Sequence, residues 1–221
     1  MEKERQLLVV FPHPDDEAFG VSGTIATHVQ NGTPVTYACL TLGEMGRNMG
    51  NPPFATRESL PKIRTAELQN AAKVLGINDL RMMGLRDKTI EFEDEEMLIN
   101  MVSSLISEVK PSLIISFYPG YSVHPDHDAT GAAVVRAVAK IPAENRPTLH
   151  CVAFSKNCEQ EIGEPDIVND VSAVAEIKLN AIKAHISQTQ LMVADMADKL
   201  SENDPEMIAR MLYERFWNYK F

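Results

Sequence analysis

The run Leu7-Leu8-Val9-Val10-Phe11 carries an apolar side chain at every position. A strand with one face in water alternates apolar and polar residues, whereas one apolar throughout is covered on both faces. Similar runs recur at Val35–Leu40, Ser112–Phe117 and Thr148–Phe154, with shorter ones at Asp79–Met83 and Ile167–Val171. Between them lie stretches of helical period: Ala18–Gln30, Pro61–Leu75, Asp94–Val109, His127–Ile141, Val174–Ile186 and Asp204–Phe216. Strand–helix alternation with buried strands predicts an α/β, Rossmann-like three-layer fold around a mostly parallel sheet. Residues 1–221 read as one domain, and a hydrophobic content of 44% is enough to fill its core.

In open parallel sheets, functional residues collect beyond the carboxyl ends of the strands. Two clusters stand at such ends: His13-Pro14-Asp15-Asp16-Glu17 after the first run and His124-Pro125-Asp126-His127-Asp128 after Ser112–Phe117. The segment Gly43 to Leu60, rich in Gly, Asn, Pro and Met, reads as a long binding loop or lid, with Met45 and Met49 as contacts. Met97 and Met101 instead share a helical stripe with Val102, Leu105 and Ile106 and read as core.

The net charge of −10, from 21 basic and 31 acidic residues, disfavours nucleic acid and anionic membranes as partners. Cys39, Cys151 and Cys158 are odd in number and lack metal-like spacing, which fits a reducing, cytoplasmic setting. No apolar stretch is long enough to cross a bilayer.

Zinc takes imidazole nitrogen and carboxylate oxygen, and a hydrolytic site keeps three protein ligands with one position open. His13 and Asp16 are three apart across a turn entering a helix, so both can face one point. Successive helical residues diverge by about 100°, so Asp15 then points elsewhere and is free to act on water. One histidine of the second cluster completes the set. The other stays as a donor, with Asp126 available to orient it. Helix capping accounts for Asp15, Asp16 and Glu17 alone, but not for His13 or the second cluster.

The segments "PHPDDE" (Pro12–Glu17) and "HPDH" (His124–His127) resemble the paired motifs of the PIG-L/LmbE-like zinc-dependent N-deacetylases. "TLGEMG" (Thr41–Gly46), "RTAE" (Arg64–Glu67), "GLRD" (Gly84–Asp87) and "HISQ" (His185–Gln188) resemble further family features, over residues 6 to 190. The overall pattern is most similar to the bacillithiol biosynthesis deacetylases, the second type especially.

The resemblance implies His13, Asp16 and His127 as zinc ligands, with Fe²⁺ an alternative metal, and Asp15 as general base. It implies His124 as the second catalytic histidine with Asp126 behind it, and removal of acetate from an acetylated amino sugar such as N-acetylglucosaminyl malate. Some relatives carry arginine where this chain has Val123. Arg47, Arg64, Asp87 and Gln188 are the candidates to bind the small-molecule substrate, arginine forks suiting the malate carboxylates.

Competing readings are an amidase of bacillithiol S-conjugates, a deacetylase of another acetamido sugar, and a two-metal phosphoesterase. A nucleotide-binding module lacks its glycine-rich loop, and a structural zinc site ordinarily uses cysteines. His28 and His150 read as satisfied or exposed histidines; His185 either lines the site, as the resemblance implies, or ends a helix. The tail residues Phe216, Trp217, Tyr219 and Phe221 dock either on the domain or on a second copy, making a homo-oligomer.

Overall fold

The computed structural model describes residues Met1–Phe221. A seven-stranded sheet has the order β3-β2-β1-β4-β5-β7-β6. Its strands are β1 (Leu7–Phe11), β2 (Val35–Thr41), β3 (Asp79–Leu85), β4 (Leu113–Phe117), β5 (Thr148–Val152), β6 (Ile167–Asp170) and β7 (Tyr213–Asn218). β1 to β5 run parallel, and β7 runs antiparallel to both β5 and β6. The expected α/β three-layer architecture is therefore present, with a mixed edge.

The apolar pentad of β1 explains the layering, because successive side chains point to opposite faces. Leu7, Val9 and Phe11 enter one core with α1 (Asp16–Gly20), α2 (Ser22–Gln30), α3 (Leu60–Leu75), α7 (Ala175–Ala184), α8 (Ile186–Ser201) and α9 (Pro205–Leu212). Leu8 and Val10 enter the other, beneath α4 (Glu95–Val109) and α5 (Pro125–Ala139). Met97 and Met101 pack against this second core, as their spacing implies. A short helix, α6 (Cys158–Ile162), lies between β5 and β6.

Two predicted helices need correction. The first predicted helix breaks at Val21, whose φ of −144° is not helical, so α1 and α2 are separate. The helix predicted over Asp204–Phe216 stops at Leu212, and Tyr213–Asn218 is a strand. There Glu214, Phe216 and Trp217 are buried while Tyr213 and Arg215 are exposed, a strand alternation hidden by the helical period before it. The tail thus docks within this chain: Phe216 and Trp217 are core residues, and Arg146 lies over the Phe221 ring at 4.9 Å.

A helix the sequence reading does not foresee is α8, which seats Val193, Met196 and Leu200 against the first core. It is the docking partner of the long loop. Gly50 N–H donates to the Ser187 carbonyl, and the Asn48 and Gln188 side-chain amides each donate to the other's backbone carbonyl. The loop, read as a binding loop or lid, is tied to α8 at these positions.

Candidate active site

β1 and β4 are neighbours and end at the same edge, which brings the two histidine motifs together. The Pro12 carbonyl accepts from the Thr41 N–H and hydroxyl, fixing the exit of β1. After β4, Asp128 accepts from Gly120 and Ser122 N–H groups and shapes the turn into α5. The His127 ring stacks on Phe117, centroids 4.1 Å apart. Gly131 makes this approach feasible, because a Cβ there would lie 2.4 Å from the Phe117 carbonyl oxygen.

Donor atoms of three residues converge. His13 Nδ1 is 3.1 Å from His127 Nε2, His127 Nε2 is 3.2 Å from Asp16 Oδ1, and His13 Nδ1 is 3.5 Å from Asp16 Oδ2. Ligands about 2.0–2.1 Å from one tetrahedral zinc lie roughly 3.3 Å apart, so these separations fit, with Asp16 offering either oxygen. The tautomers fit too. His127 Nδ1–H donates to the Ser122 carbonyl at 3.1 Å, leaving its Nε2 lone pair inward. His13 Nε2 faces the Asp126 and Asp87 carboxylates at 3.1 and 3.3 Å, leaving its Nδ1 lone pair inward. Two nitrogens facing each other at this range are satisfied by a cation between them, either a proton or a metal ion.

The charges agree. Burial opposes protonation of His13, yet Asp126, Asp16 and Asp87 hold it well above the ordinary value. Burial alone would raise Asp16, but the facing His127 and His13 rings hold it well below the usual carboxylate range. The nest is built for positive charge.

Asp126 stands elsewhere than expected. Its carboxylate accepts from Lys88 and Ile90 N–H groups and contacts His13, not the His124 ring. His124 is instead the N-cap of α5: its Nδ1 accepts from Asp126 N–H at 3.1 Å. The neutral ring therefore carries its proton on Nε2. Burial and the neighbouring His13 and His127 lower its pKa, so it is a neutral donor rather than an imidazolium.

Asp15 is the strained member. Its φ of 117° is unusual for a non-glycine residue and costs on the order of 1–3 kcal/mol. Burial pushes its carboxyl up to about 6, against the pull of Arg64, with Asp16 adding repulsion.

Arg64 and Asp87, expected at the substrate, are buried and internally engaged. Arg64 donates to the Pro14 and Gly43 carbonyls and to Asp15 Oδ2 at 3.0 Å. Gly43, at φ +63°, is required here, since a Cβ would collide with the guanidinium. Asp87 contacts His13 and accepts from Met45 N–H at 2.8 Å. Gln188 serves the loop pairing, and Arg47 is exposed on that loop. Val123 is also exposed, with φ +52°.

The PIG-L family profile, described as GlcNAc-PI de-N-acetylase, matches residues 8–138. The chain belongs to the PIG-L family. It is 52% identical over 218 residues to the probable N-acetyl-alpha-D-glucosaminyl L-malate deacetylase 2 of Bacillus subtilis (strain 168), covering 99% of each chain. It is 30% identical over 193 residues to the diacetylchitobiose deacetylase of Thermococcus kodakarensis, covering 83% of this chain and 70% of that one. Among solved structures, the N,N'-diacetylchitobiose deacetylase of Pyrococcus horikoshii superposes with a TM-score of 0.75 at 23% identity, over 98% of this chain and 84% of that one. GalB, the 4-carboxy-2-hydroxymuconate hydratase of Pseudomonas putida, superposes at 0.74 and 19% identity over 98% and 97%. The shared fold thus does not fix the reaction.

Both PIG-L histidine motifs lie inside the matched segment, as do Arg64 and Asp87. Residues beyond it, which composition did not mark, complete the surroundings. His185 Nε2 is 2.6 Å from Glu17 Oε1, and Ser187 donates from N–H and hydroxyl to Glu67, both at 2.7 Å. The "RTAE" and "HISQ" segments were the available signal, and they turn out to touch.

Proposed function

We propose that this protein hydrolyses the N-acetyl group of N-acetylglucosaminyl malate, releasing acetate and glucosaminyl malate. The reading is carried by the three converging lone pairs of His13, Asp16 and His127, with the unliganded Asp15 next to them in the chain. The substrate follows from the 52% identical relatives bearing that name.

His13, Asp16 and His127 would hold one zinc or ferrous ion. When bound, the cation supplies Lewis acidity, polarising the amide carbonyl and acidifying the attacking water. Asp15 takes the proton of that water as the carbon–oxygen bond forms. His124 donates from Nε2 to the developing oxyanion. Asp15 then returns its proton to the leaving nitrogen as the carbon–nitrogen bond breaks. With a carboxyl pKa of about 6, Asp15 is ionised at neutral pH yet basic enough for this exchange. Arg47, exposed on the pinned loop, is assigned to the malate carboxylates, and the buried Arg64 is not. Three free buried cysteines fit the cytoplasmic setting of such a reaction.

A two-metal phosphoesterase is less well supported. The alternative triads of ligating groups, His13, His124, His127 and His13, Asp87, Asp126, both reuse His13, and the carboxylates of the second already accept backbone N–H groups. The test is metal analysis with acetate release from N-acetylglucosaminyl malate, other acetamido sugars and bacillithiol S-conjugates. One metal per chain and preference for the malate conjugate are expected. Two metals with phosphatase activity, or preference for an S-conjugate, overturn it.

A further inference from the structure

The peptide group between Pro14 and Asp15 is gripped at both ends. Its carbonyl accepts from Arg64, and its N–H donates to Glu17 Oε2 at 3.1 Å. Glu17 is fully buried, so it is not a solvent-facing helix cap. Its Oε2 also accepts from the Tyr37 hydroxyl at 3.0 Å, and its Oε1 from His185 Nε2 at 2.6 Å. His185 is fully buried at the junction of α7 and α8, and its Nδ1 has no partner. Glu17 is therefore the group that engages this ring.

The contacts close on themselves. Ser187, two residues after His185, is held by Glu67. Glu67 lies three residues after Arg64 on α3, and Arg64 holds Asp15. The circuit runs Asp15, Arg64, Glu67, Ser187, His185, Glu17 and back to Asp15. It ties the first strand exit, α3 and the start of α8 to one backbone position.

We infer that Glu17 and His185 are positioning residues that hold Asp15 in its left-handed backbone conformation and so aim its carboxylate. The kinetic part rests on Asp15 being the general base of the proposed reaction. Neither side chain touches substrate, and both act through Asp15.

The test uses zinc-loaded full-length protein with N-acetylglucosaminyl malate. Glu17→Ala and His185→Ala are expected to lower kcat roughly 10²-fold, as a misplaced reacting group does. KM should stay within about threefold and zinc per chain should not change, while His185→Gln, which keeps a donor, recovers most of the rate. In an Asp15→Asn background the same changes should alter the residual kcat less than about twofold, because their route of action is already gone. Wild-type kcat in His185→Ala, equal losses in both backgrounds, or loss of rate in step with loss of zinc each overturns the inference. If the alanine variants do not fold, Glu17→Gln is read in the same two backgrounds, with a smaller loss expected that again vanishes without Asp15. Crystal structures of Glu17→Gln and wild type give a readout independent of the reaction. Asp15 should leave positive φ in the variant, and an unchanged φ there counts against the inference. A wild type that releases no acetate refutes the proposed reaction and leaves that structural readout standing.

Discussion

The Asp126 carboxylate lies 3.1 Å from Nε2 of His13 and is pinned by the backbone N–H groups of Lys88 and Ile90. It belongs to the first histidine motif in space although it sits in the second in sequence. A carboxylate behind a ligating imidazole fixes its tautomer and raises its basicity. Asp126→Asn is therefore expected to weaken zinc binding about 10–100-fold and to regain activity as zinc is added. Competition with a chelator measures this. Unchanged affinity with a lowered kcat would return Asp126 to the side of His124.

Arg64 is assigned to Asp15, and the pH profile can check it. The guanidinium lowers the Asp15 pKa, which burial raises to about 6. Removing the positive charge in Arg64→Gln raises it further, so the acidic limb of kcat/KM moves to higher pH. Arg64→Lys keeps a charge and should leave the limb nearer its original place while losing the fork to Pro14 and Gly43. If Arg64 instead read the malate group, Arg64→Gln would raise KM for malate conjugates selectively.

Stability should fall in mild acid for a reason apart from the site. Burial pushes His150 down to about 4 and also lowers His28. A folded-state value below the unfolded one of 6.5 means the unfolded chain takes up the proton first as pH falls. The stability that the neutral ring contributes is thus whole above pH 6.5, is lost between 6.5 and about 4, and falls no further below. For His150 the loss between pH 7.5 and 5 is about 2 kcal/mol. Urea midpoints at these two pH values should differ less in His150→Leu than in the parent.

Lys178 and Glu214 form an ion pair at 2.9 Å with both residues almost fully buried. Glu214 also accepts from Gly23 and Thr24 N–H groups at the start of α2. The pair thereby latches β7 to the helices behind the site. Lys178→Met leaves a buried carboxylate without its cation and is expected to cost about 3–5 kcal/mol. Denaturant melts of Lys178→Met and of the double variant with Glu214→Gln test this, the second being the more stable.

The features legible in the sequence were local. Leu7–Phe11 announces a doubly covered strand because five successive apolar residues fit few other environments. The two histidine motifs were legible as clusters at strand ends, whereas His13, Asp16 and His127 as the ligand set came from the resemblance to the PIG-L deacetylases. Glu214 was not legible as a buried acid, because its partners Lys178, Gly23 and Thr24 are distant in the chain. The same holds for Arg64 and Asp87. Spacing shows that a charge is present, but whether it faces substrate or Pro14, Gly43 and His13 depends on long-range packing. α8 was missed because its first turns are polar and dock through Ser187, Gln188 and Gln190, while Val193, Met196 and Leu200 further along meet the core.

Gly131 offers a test of how tightly the helix scaffold controls the ligand triangle. It lies one turn after His127 on α5, where a Cβ would stand 2.4 Å from the Phe117 carbonyl oxygen and 3.4 Å from Pro119. The backbone oxygen cannot rotate away as a side chain would, so Gly131→Ala must push α5 off the end of β4. The helix should gain up to about 1 kcal/mol in intrinsic propensity, and the overpacking should cost about 1–3 kcal/mol, so a net loss is expected. The displacement also carries His127 away from Phe117, its stacking partner at 4.1 Å, and so away from His13 and Asp16. Zinc affinity should therefore fall together with melting temperature, whereas Ala133→Gly, on the same helix and buried against the far core, should lower melting temperature alone. A Gly131→Ala protein that melts lower yet binds zinc as tightly as the parent would show that the triangle does not depend on this approach.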